Sequence, residues 1–188
     1  MLPNGHRTVM IKGEQFKFSC AHFVSYPGFR ERLHGHNYTM EVEVAGTMSE
    51  TDGYVLDFGV LKKHIRALCK SLNERIIIPE LSNTLQIKQV SSPASTFALS
   101  SCSSGEPEEF VENTGQIEIV CGPAFFSLPK SDCALLPIRF STAEELSKYL
   151  ALELKAVLPI DTRDVDTITV RVFERPTQAA SFTLSTIR

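Results

Sequence analysis

Three histidines have the residue type and spacing that could bind a metal ion: His22, His34 and His36. Side chains alternate between the two faces of a strand, so His34 and His36, two residues apart, point to the same side. If the preceding strand pairs antiparallel with this one, His22 can lie opposite them. Three imidazoles that leave one position open are the ligand set of a catalytic zinc. Histidines are more often structural than metal-binding when they occur alone, but this spacing favours a metal site.

Two strands must position these histidines. Residues 8–23 alternate loosely, with aromatic side chains on the face of His22, which predicts a first strand that ends at the site. Pro27-Gly28 is a turn signal. Residues 34–45 then alternate regularly, with apolar side chains on the face of the two histidines and polar side chains on the other. This pattern predicts a second, half-buried strand.

Composition limits the class of protein. A chain of 188 residues is expected to form a single domain with a full core. A net charge of -3 gives no reason to expect a nucleic-acid partner. No apolar run reaches membrane-spanning length, and the first residues lack the apolar core of a signal peptide. Five cysteines without CxxC pairs indicate free thiols in a reducing compartment, so we expect a cytoplasmic protein that does not bind membranes.

Capping signals mark the start of two helices. Asp57 precedes an apolar stripe at helical spacing and is the predicted N-cap of the first helix. Thr142, followed three residues later by Glu145, is a capping-box sequence that predicts the start of the second helix. Two alternating segments, 166–173 and 180–184, follow that helix and predict a final strand pair.

The segment 85–137 has a different character from the rest of the chain. Residues 91–105 are rich in serine, which predicts a loop. Residues 116–121 alternate like a strand, and 124–128 follow a Gly-Pro break as its hairpin partner. Because the segment has too few apolar residues for a core of its own, we interpret it as an arm inserted into one domain of residues 1–188. The whole order predicts an α+β fold with antiparallel hairpins and two helices on one face.

Four motifs resemble the 6-pyruvoyl tetrahydropterin synthase family, which includes the 6-carboxytetrahydropterin synthases. They occur in the family's order and cover both ends of the chain: Phe18-Ser-Cys-Ala-His22, Leu33-His-Gly-His-Asn-Tyr38, Gly53-Tyr-Val-Leu-Asp-Phe58 and Val172-Phe-Glu174. The His-Gly-His piece with its upstream Ala-His is specific, and the others are weak alone.

The resemblance implies a fold, a metal and a ligand. The fold is the tunnelling fold, a four-stranded antiparallel sheet with two helices on one face, whose subunits pool their sheets into a barrel, usually as a hexamer of two trimers. The metal is Zn²⁺ on His22, His34 and His36. The ligand is a pterin, whose guanidine-like edge the carboxylate of Glu174 would bind through two parallel N–H bonds. Thr142 is a second pterin contact implied by the resemblance.

The sequence departs from the family pattern at two catalytic positions. Arg30, followed by Glu31, stands where the family has its catalytic cysteine, and Leu72-Asn73-Glu74 replaces the Asp-His pair after the first helix. One branch of the family carries glutamate at the position of Glu31, and that branch converts 7,8-dihydroneopterin triphosphate to 6-hydroxymethyl-7,8-dihydropterin, a folate precursor. The resemblance therefore implies a zinc-dependent lyase with Glu31 as general base. Glu74 is a candidate second proton carrier, with an ordinary exposed glutamate after a helix as the alternative.

Two other readings stay open from the sequence. One is the triphosphate-eliminating 6-pyruvoyl tetrahydropterin synthase reaction of tetrahydrobiopterin synthesis, or 6-carboxytetrahydropterin synthase activity, with Cys20 or Glu74 in place of the missing base. The other is a zinc-containing pterin-binding protein without catalysis, which the missing Asp-His pair would explain.

Overall fold

A computed structural model of the chain describes residues 5–91, 115–160 and 163–186. The helices are α1 (Phe58–Leu72) and α2 (Ala143–Val157). The strands are β1 (His6–Ile11), β2 (Lys17–His22), β3 (Ser25–Tyr26), β4 (Phe29–Arg30), β5 (His34–Thr47), β6 (Arg75–Pro79), β7 (Gln86–Val90), β8 (Gln116–Cys121), β9 (Ala124–Pro129), β10 (Cys133–Leu136), β11 (Val165–Arg175) and β12 (Gln178–Ser185).

The main sheet is built around the long strand β5. Its strand order is β10-β6-β2-β5-β11-β12, and β1 pairs with β5 as well. The pairs that involve β5 are antiparallel, whereas β6 runs parallel to both β2 and β10. The predicted α+β class with two helices is confirmed. The sheet is larger than the expected four strands, because β6 and β10 extend one edge and the first predicted strand is divided into two.

The division of the first strand occurs at Gly13. The backbone at Gly13 has a φ of 141°, which side-chain-bearing residues rarely adopt, and its carbonyl accepts a hydrogen bond from the amide of Phe16 at 3.1 Å. The turn places β1 and β2 one after the other along the same side of β5. The prediction of one strand over 8–23 is therefore wrong in its middle, although its last part ends at His22 as expected.

The alternation of β5 produces the core face on which both helices pack. Tyr38, Met40, Val42 and Val44 are almost completely buried, as the sequence predicted, in one apolar cluster with both helices. Each helix begins at its predicted cap: the side chain of Asp57 accepts from the amide of Val60, and that of Thr142 from the amide of Glu145. The inward faces of β2, β11 and the helices contribute further large members of that cluster: Phe18, Leu61, Ile65, Leu146, Leu150, Leu154, Ile168, Val170 and Val172.

The predicted arm is a small separate sheet whose core is shared with the edge of the main sheet. Strands β7, β8 and β9 form a three-stranded antiparallel sheet, with the predicted hairpin between β8 and β9. Ile117 and Ile119 of this sheet pack with Ile78 of β6 and Cys133 of β10. Strand β10 itself belongs to the main sheet, so the arm outside that sheet ends before residue 133. The serine-rich loop predicted at 91–105 lies, apart from Ser91, outside the described residues.

Within the described residues, no helix has both the length and the apolar composition needed to span a bilayer.

Candidate metal centre

The register between β2 and β5 brings the three histidines together. His22, the last residue of β2, lies directly opposite His34, the first residue of β5, and His36 follows on the same face. The ring centroids are 4.6 Å (His22–His34), 4.9 Å (His34–His36) and 5.2 Å (His22–His36) apart. One potential ligand atom from each ring lies within 4.8 Å of the other two, so the cluster could hold a metal ion.

Two of the rings are oriented by backbone carbonyls. The Nδ1 atom of His22 lies 2.5 Å from the carbonyl oxygen of Ser141, and that of His34 lies 2.8 Å from the carbonyl of Arg32. A carbonyl only accepts, so each Nδ1 carries the proton and each Nε2 is left with its lone pair. Metal-binding histidines use this arrangement, in which the outer N–H fixes the ring. Burial also lowers the pKa of His22, which favours the neutral ring that a metal requires. The donor set therefore fits a divalent ion.

A cavity of about 540 Å³ opens over the histidines, a size typical of small-molecule sites. Three carboxylates, Glu31, Glu144 and Glu174, and the side chain of Thr142 line it together with the histidines. Among the described residues that line it, none is lysine or arginine. The cavity thus combines a metal-binding end with side chains that accept protons or hydrogen bonds.

Glu31 is held in the cavity by a closed loop. The amide of Val24 donates to Oε2 of Glu31 at 3.0 Å, and the amide of Glu31 donates to the carbonyl of Val24 at 3.0 Å. Between these two residues β3 and β4 form a short hairpin. One carboxylate oxygen of Glu31 is therefore fixed by the backbone, while the other is available to the cavity.

Glu174 reaches the cavity from a β-bulge. The pairing of β11 with β12 shifts register between Phe173 and Arg175, so Glu174 is the extra residue, and bulges commonly redirect a side chain next to a functional site. Its Oε1 accepts a hydrogen bond from the hydroxyl of Tyr38 at 3.1 Å. The same hydroxyl lies 3.3 Å from Nε2 of His22. Tyr38 thus connects the carboxylate to the histidine cluster.

The model of the family described as "6-pyruvoyl tetrahydropterin synthase" matches residues 11–185, nearly the whole chain. The chain belongs to the 6-pyruvoyl tetrahydropterin synthase family.

Two relatives and two solved structures illustrate where the chain lies within this family. A protein of Pyrococcus abyssi, provisionally assigned as a 6-carboxy-5,6,7,8-tetrahydropterin synthase, is 28% identical over 184 residues, which is 95% of each chain. The dihydroneopterin monophosphate aldolase of Pyrococcus furiosus is 41% identical over 58 residues, covering 31% of this chain and 48% of that protein.

The solved structures are 6-pyruvoyl tetrahydropterin synthases of malaria parasites. The Plasmodium falciparum protein superposes with a TM-score of 0.79 at 32% identity, covering 97% of this chain and 99% of that one. The Plasmodium vivax protein gives 0.78 at 31% identity, covering 96% and 99%. Variants of the Plasmodium vivax protein that replace a catalytic glutamate with alanine or cysteine superpose equally well. These neighbours confirm the tunnelling fold that the motifs implied.

Thr142 lies where both of its predicted roles are possible. Its hydroxyl accepts from the amide of Glu145 at 3.4 Å and it lines the cavity. The capping box, however, is not reciprocal. The carboxylate of Glu145 accepts from the amide of Arg139 at 3.2 Å instead of from the amide of Thr142. The hydroxyl therefore caps α2 through a long hydrogen bond and remains close enough to the cavity for a ligand contact.

The two residues considered as substitutes for the family's catalytic cysteine do not line the cavity of a single chain. Glu74 is exposed at the α1–β6 junction, with a φ of 60°, and its amide donates to the carbonyl of Ser19. Cys20 is buried under the sheet face, and burial, together with the charge of Glu174, raises the pKa of its thiol to about 12. Cys20 is therefore not a thiolate at neutral pH. A catalytic role for Glu74 stays a prediction that requires a second chain to complete the site.

Several site residues were not predicted from the sequence. Tyr38 had a usable signal, because alternation places it on the face of His34 and His36. The carbonyl of Ser141 had none, since a backbone acceptor leaves no mark on residue type. Glu144 and Gln178 line the cavity only because the start of α2 and the β11–β12 turn converge over the histidines.

Proposed function

We propose that this protein is a zinc-dependent lyase that cleaves the side chain of 7,8-dihydroneopterin triphosphate to give 6-hydroxymethyl-7,8-dihydropterin. One observation carries this proposal: Glu31, which directly follows the position of the family's cysteine, accepts a hydrogen bond from the amide of Val24 and lines the histidine cavity. The catalytic glutamate of the Plasmodium vivax protein and the aldolase activity named for the Pyrococcus furiosus relative support it.

The residues of the chain suit a retro-aldol cleavage. A divalent ion on His22, His34 and His36 would supply Lewis-acid chemistry, which makes a substrate hydroxyl easier to deprotonate. The free oxygen of Glu31 takes the proton from the substrate's side-chain hydroxyl that is farther from the ring. The oxygen of that substrate hydroxyl becomes the carbonyl oxygen of an aldehyde. The bond between the two hydroxyl-bearing carbons breaks, and its electron pair passes into the C=N bond of the dihydropterin ring. A proton returned to the ring-side carbon completes 6-hydroxymethyl-7,8-dihydropterin, and the aldehyde leaves with the triphosphate.

Glu174 is the proposed anchor of the pterin ring. A carboxylate accepts two parallel N–H bonds from a planar donor pair, which fixes the ring in one orientation. Its bulge position and its bond to Tyr38 place the carboxylate on the same cavity as the histidines. Thr142 is proposed as a second substrate contact at the start of α2.

We propose that a homo-oligomer completes the site by supplying side chains from a neighbouring chain. A triphosphate requires cations, yet the described lining of the cavity contains no lysine or arginine. A homohexamer, formed as a dimer of trimers, could bring basic side chains and Glu74 of a neighbouring chain to the cavity. Among the described strands, β12 pairs only with β11, and its other edge is suited to such pairing. A cytoplasmic location, with reduced cysteines, belongs to the same proposal.

Product identification tests the function. The zinc-loaded protein is incubated with 7,8-dihydroneopterin triphosphate, and the products are identified by mass spectrometry. The proposal requires 6-hydroxymethyl-7,8-dihydropterin together with a triphosphorylated two-carbon aldehyde. Release of inorganic triphosphate with a 6-pyruvoyl or 6-carboxy product would replace the proposal with one of the synthase reactions. Tight pterin binding without turnover would make the protein a non-catalytic binder.

A further inference from the structure

The hydroxyl of Tyr38 lies between the two functional halves of the cavity. Tyr38 is fully buried, and its hydroxyl oxygen is 3.3 Å from Nε2 of His22 and 3.1 Å from Oε1 of Glu174. A phenol has one proton to donate. Two acceptors therefore compete for one proton, and one of them is the nitrogen that a metal would use.

Hydrogen bonds around His22 hold its ring in the orientation that produces this competition. Nδ1 of His22 donates to the carbonyl of Ser141, so Nε2 presents its lone pair toward the hydroxyl. The hydroxyl of Ser141 donates to the carbonyl of Phe23 at 2.7 Å, which fixes the segment carrying that carbonyl. Rotation of the imidazole to remove the competition would break the bond to Ser141.

Glu174 depends on Tyr38 for its orientation. Among the hydrogen bonds and ion pairs of the described residues, the contact to its carboxylate comes from the hydroxyl of Tyr38. The bulge aims the side chain at the cavity but does not set the rotation of the carboxylate. A hydrogen bond to one oxygen restricts that rotation. Two parallel bonds to a pterin edge require the carboxylate to be held in one such orientation.

We propose that Tyr38 is a positioning residue that couples metal binding to pterin binding. When an ion takes the lone pair of Nε2 of His22, Glu174 is the one of these two acceptors that is left for the hydroxyl of Tyr38. The carboxylate is then held in the orientation that receives the pterin edge. This coupling rests on the proposed function, because it takes the ligand of Glu174 to be a pterin ring.

The coupling is reciprocal. Whatever factor the metal contributes to pterin affinity, the pterin contributes to metal affinity. One redirected hydrogen bond corresponds to roughly a 5-fold effect, the lower end of measured couplings between sites. A merely structural Tyr38, whose hydroxyl satisfies buried acceptors, would affect stability and would leave the two affinities independent.

The test compares Tyr38→Phe with the wild-type protein by calorimetry. The probes are Zn²⁺ and 6-methylpterin, which keeps the pterin edge and lacks the hydroxylated side chain. Phenylalanine keeps the ring that stacks on Phe18 at 5.2 Å and removes only the hydroxyl. Tyr149→Phe is the matched control, since Tyr149 is half-buried on α2 and is not a cavity-lining residue.

Wild-type protein and Tyr149→Phe should bind 6-methylpterin about 5-fold more tightly with Zn²⁺ than without it, and Zn²⁺ more tightly by the same factor with 6-methylpterin. In Tyr38→Phe both ligands should still bind, but each should change the affinity for the other by a factor near one. A factor that persists in Tyr38→Phe, or that is absent from the wild type, overturns the coupling alone. If wild-type protein binds no 6-methylpterin in either state, the pterin site of the proposed function fails and the coupling fails with it. Should Tyr38→Phe not fold, Glu174→Ala serves instead, because it removes the acceptor of the Tyr38 hydroxyl, and a coupling retained there also overturns the proposal.

Discussion

Replacing Glu31 by glutamine separates the chemistry of its carboxylate from its structural contact. The amide of Val24 donates to one oxygen of the side chain, and the carbonyl oxygen of glutamine can accept the same bond. The loop that carries β3 and β4 should therefore keep its conformation. The other end of the side chain, which faces the cavity, changes from a proton acceptor to an amide that cannot take a proton.

The expected loss of rate follows from the role of a general base. A positioned base contributes roughly 10²–10⁴-fold, so Glu31→Gln should lower kcat by about that factor, equivalent to about 2.7–5.4 kcal/mol of transition-state stabilisation. The stability of the protein should change little. Glu31→Ala differs, because it leaves the half-buried amide of Val24 without its partner and should cost about 1–3 kcal/mol of unfolding free energy as well.

The assay follows product formation from 7,8-dihydroneopterin triphosphate by chromatography, with metal content and thermal unfolding measured on the same samples. Glu144→Gln is the matched control. It makes the same chemical change on a carboxylate that lines the same cavity, from the first turn of α2 rather than from the Glu31 loop. We expect Glu144→Gln to retain most of the rate and Glu31→Gln to lose it, with equal zinc content in both.

The opposite reading treats Glu31 as a loop residue flanked by two arginines. Surface ion pairs of that kind are worth little, and replacing Glu31 would then cost almost nothing. Within the described residues, the ion pairs do not include Glu31, and its carboxylate accepts from the amide of Val24 instead. A Glu31→Gln variant with most of the wild-type rate would refute the base assignment and direct attention to Glu74 of a neighbouring chain.

Three further outcomes are expected. Glu174→Gln should raise KM for the pterin substrate about 10-fold or more with a smaller change in kcat, because one acceptor becomes a donor that faces a donor; steady-state kinetics would contradict this if KM were unchanged. Thr142→Ala should lower the unfolding free energy by about 1 kcal/mol because it removes the cap of α2, and Asp57→Ala should do the same for α1. Of these two variants, only Thr142→Ala should also raise KM. Equal KM values in the two would show that Thr142 does not contact the substrate. Removal of metal by a chelator should abolish turnover, and Zn²⁺ should restore it. Full activity of a protein that metal analysis shows to be metal-free would exclude a catalytic role for the metal.

The strands and helices were predictable where one face is buried. Strand β5 alternates because the helices cover one side, and α1 begins at Asp57 because its side chain satisfies a free amide. The break at Gly13 leaves a weak mark in the alternation. The buried position before it, Ile11, is odd-numbered, whereas those after it, such as Phe16 and Phe18, are even-numbered, and a prediction of one strand over 8–23 overlooks this shift. The parallel addition of β10 had no comparable signal. A short apolar segment such as 133–136 does not reveal which sheet edge it pairs with.

The site residues also differ in how well the sequence predicts their positions. Residues that share a strand, such as His34 and His36, could be placed by local geometry, and His22 by one assumed pairing that the register confirms. Residues that meet through the tertiary fold could not. The bulge that turns Glu174 into the cavity is an irregularity of the β11–β12 pairing, and nothing in the residue type announces it.

Glu31 shows why a loop residue can be as well placed as one on a strand. Residues 24–31 leave the sheet between β2 and β5, which would ordinarily give Glu31 a wide range of positions. The reciprocal bonds between Val24 and Glu31 join the two ends of this loop and restrict the position of Glu31 relative to the strands that flank it. The carboxylate is thereby held against the same two strands that present the histidines. The proposed base and the candidate metal-binding histidines are therefore positioned by the same two strands, although Glu31 itself lies in a loop.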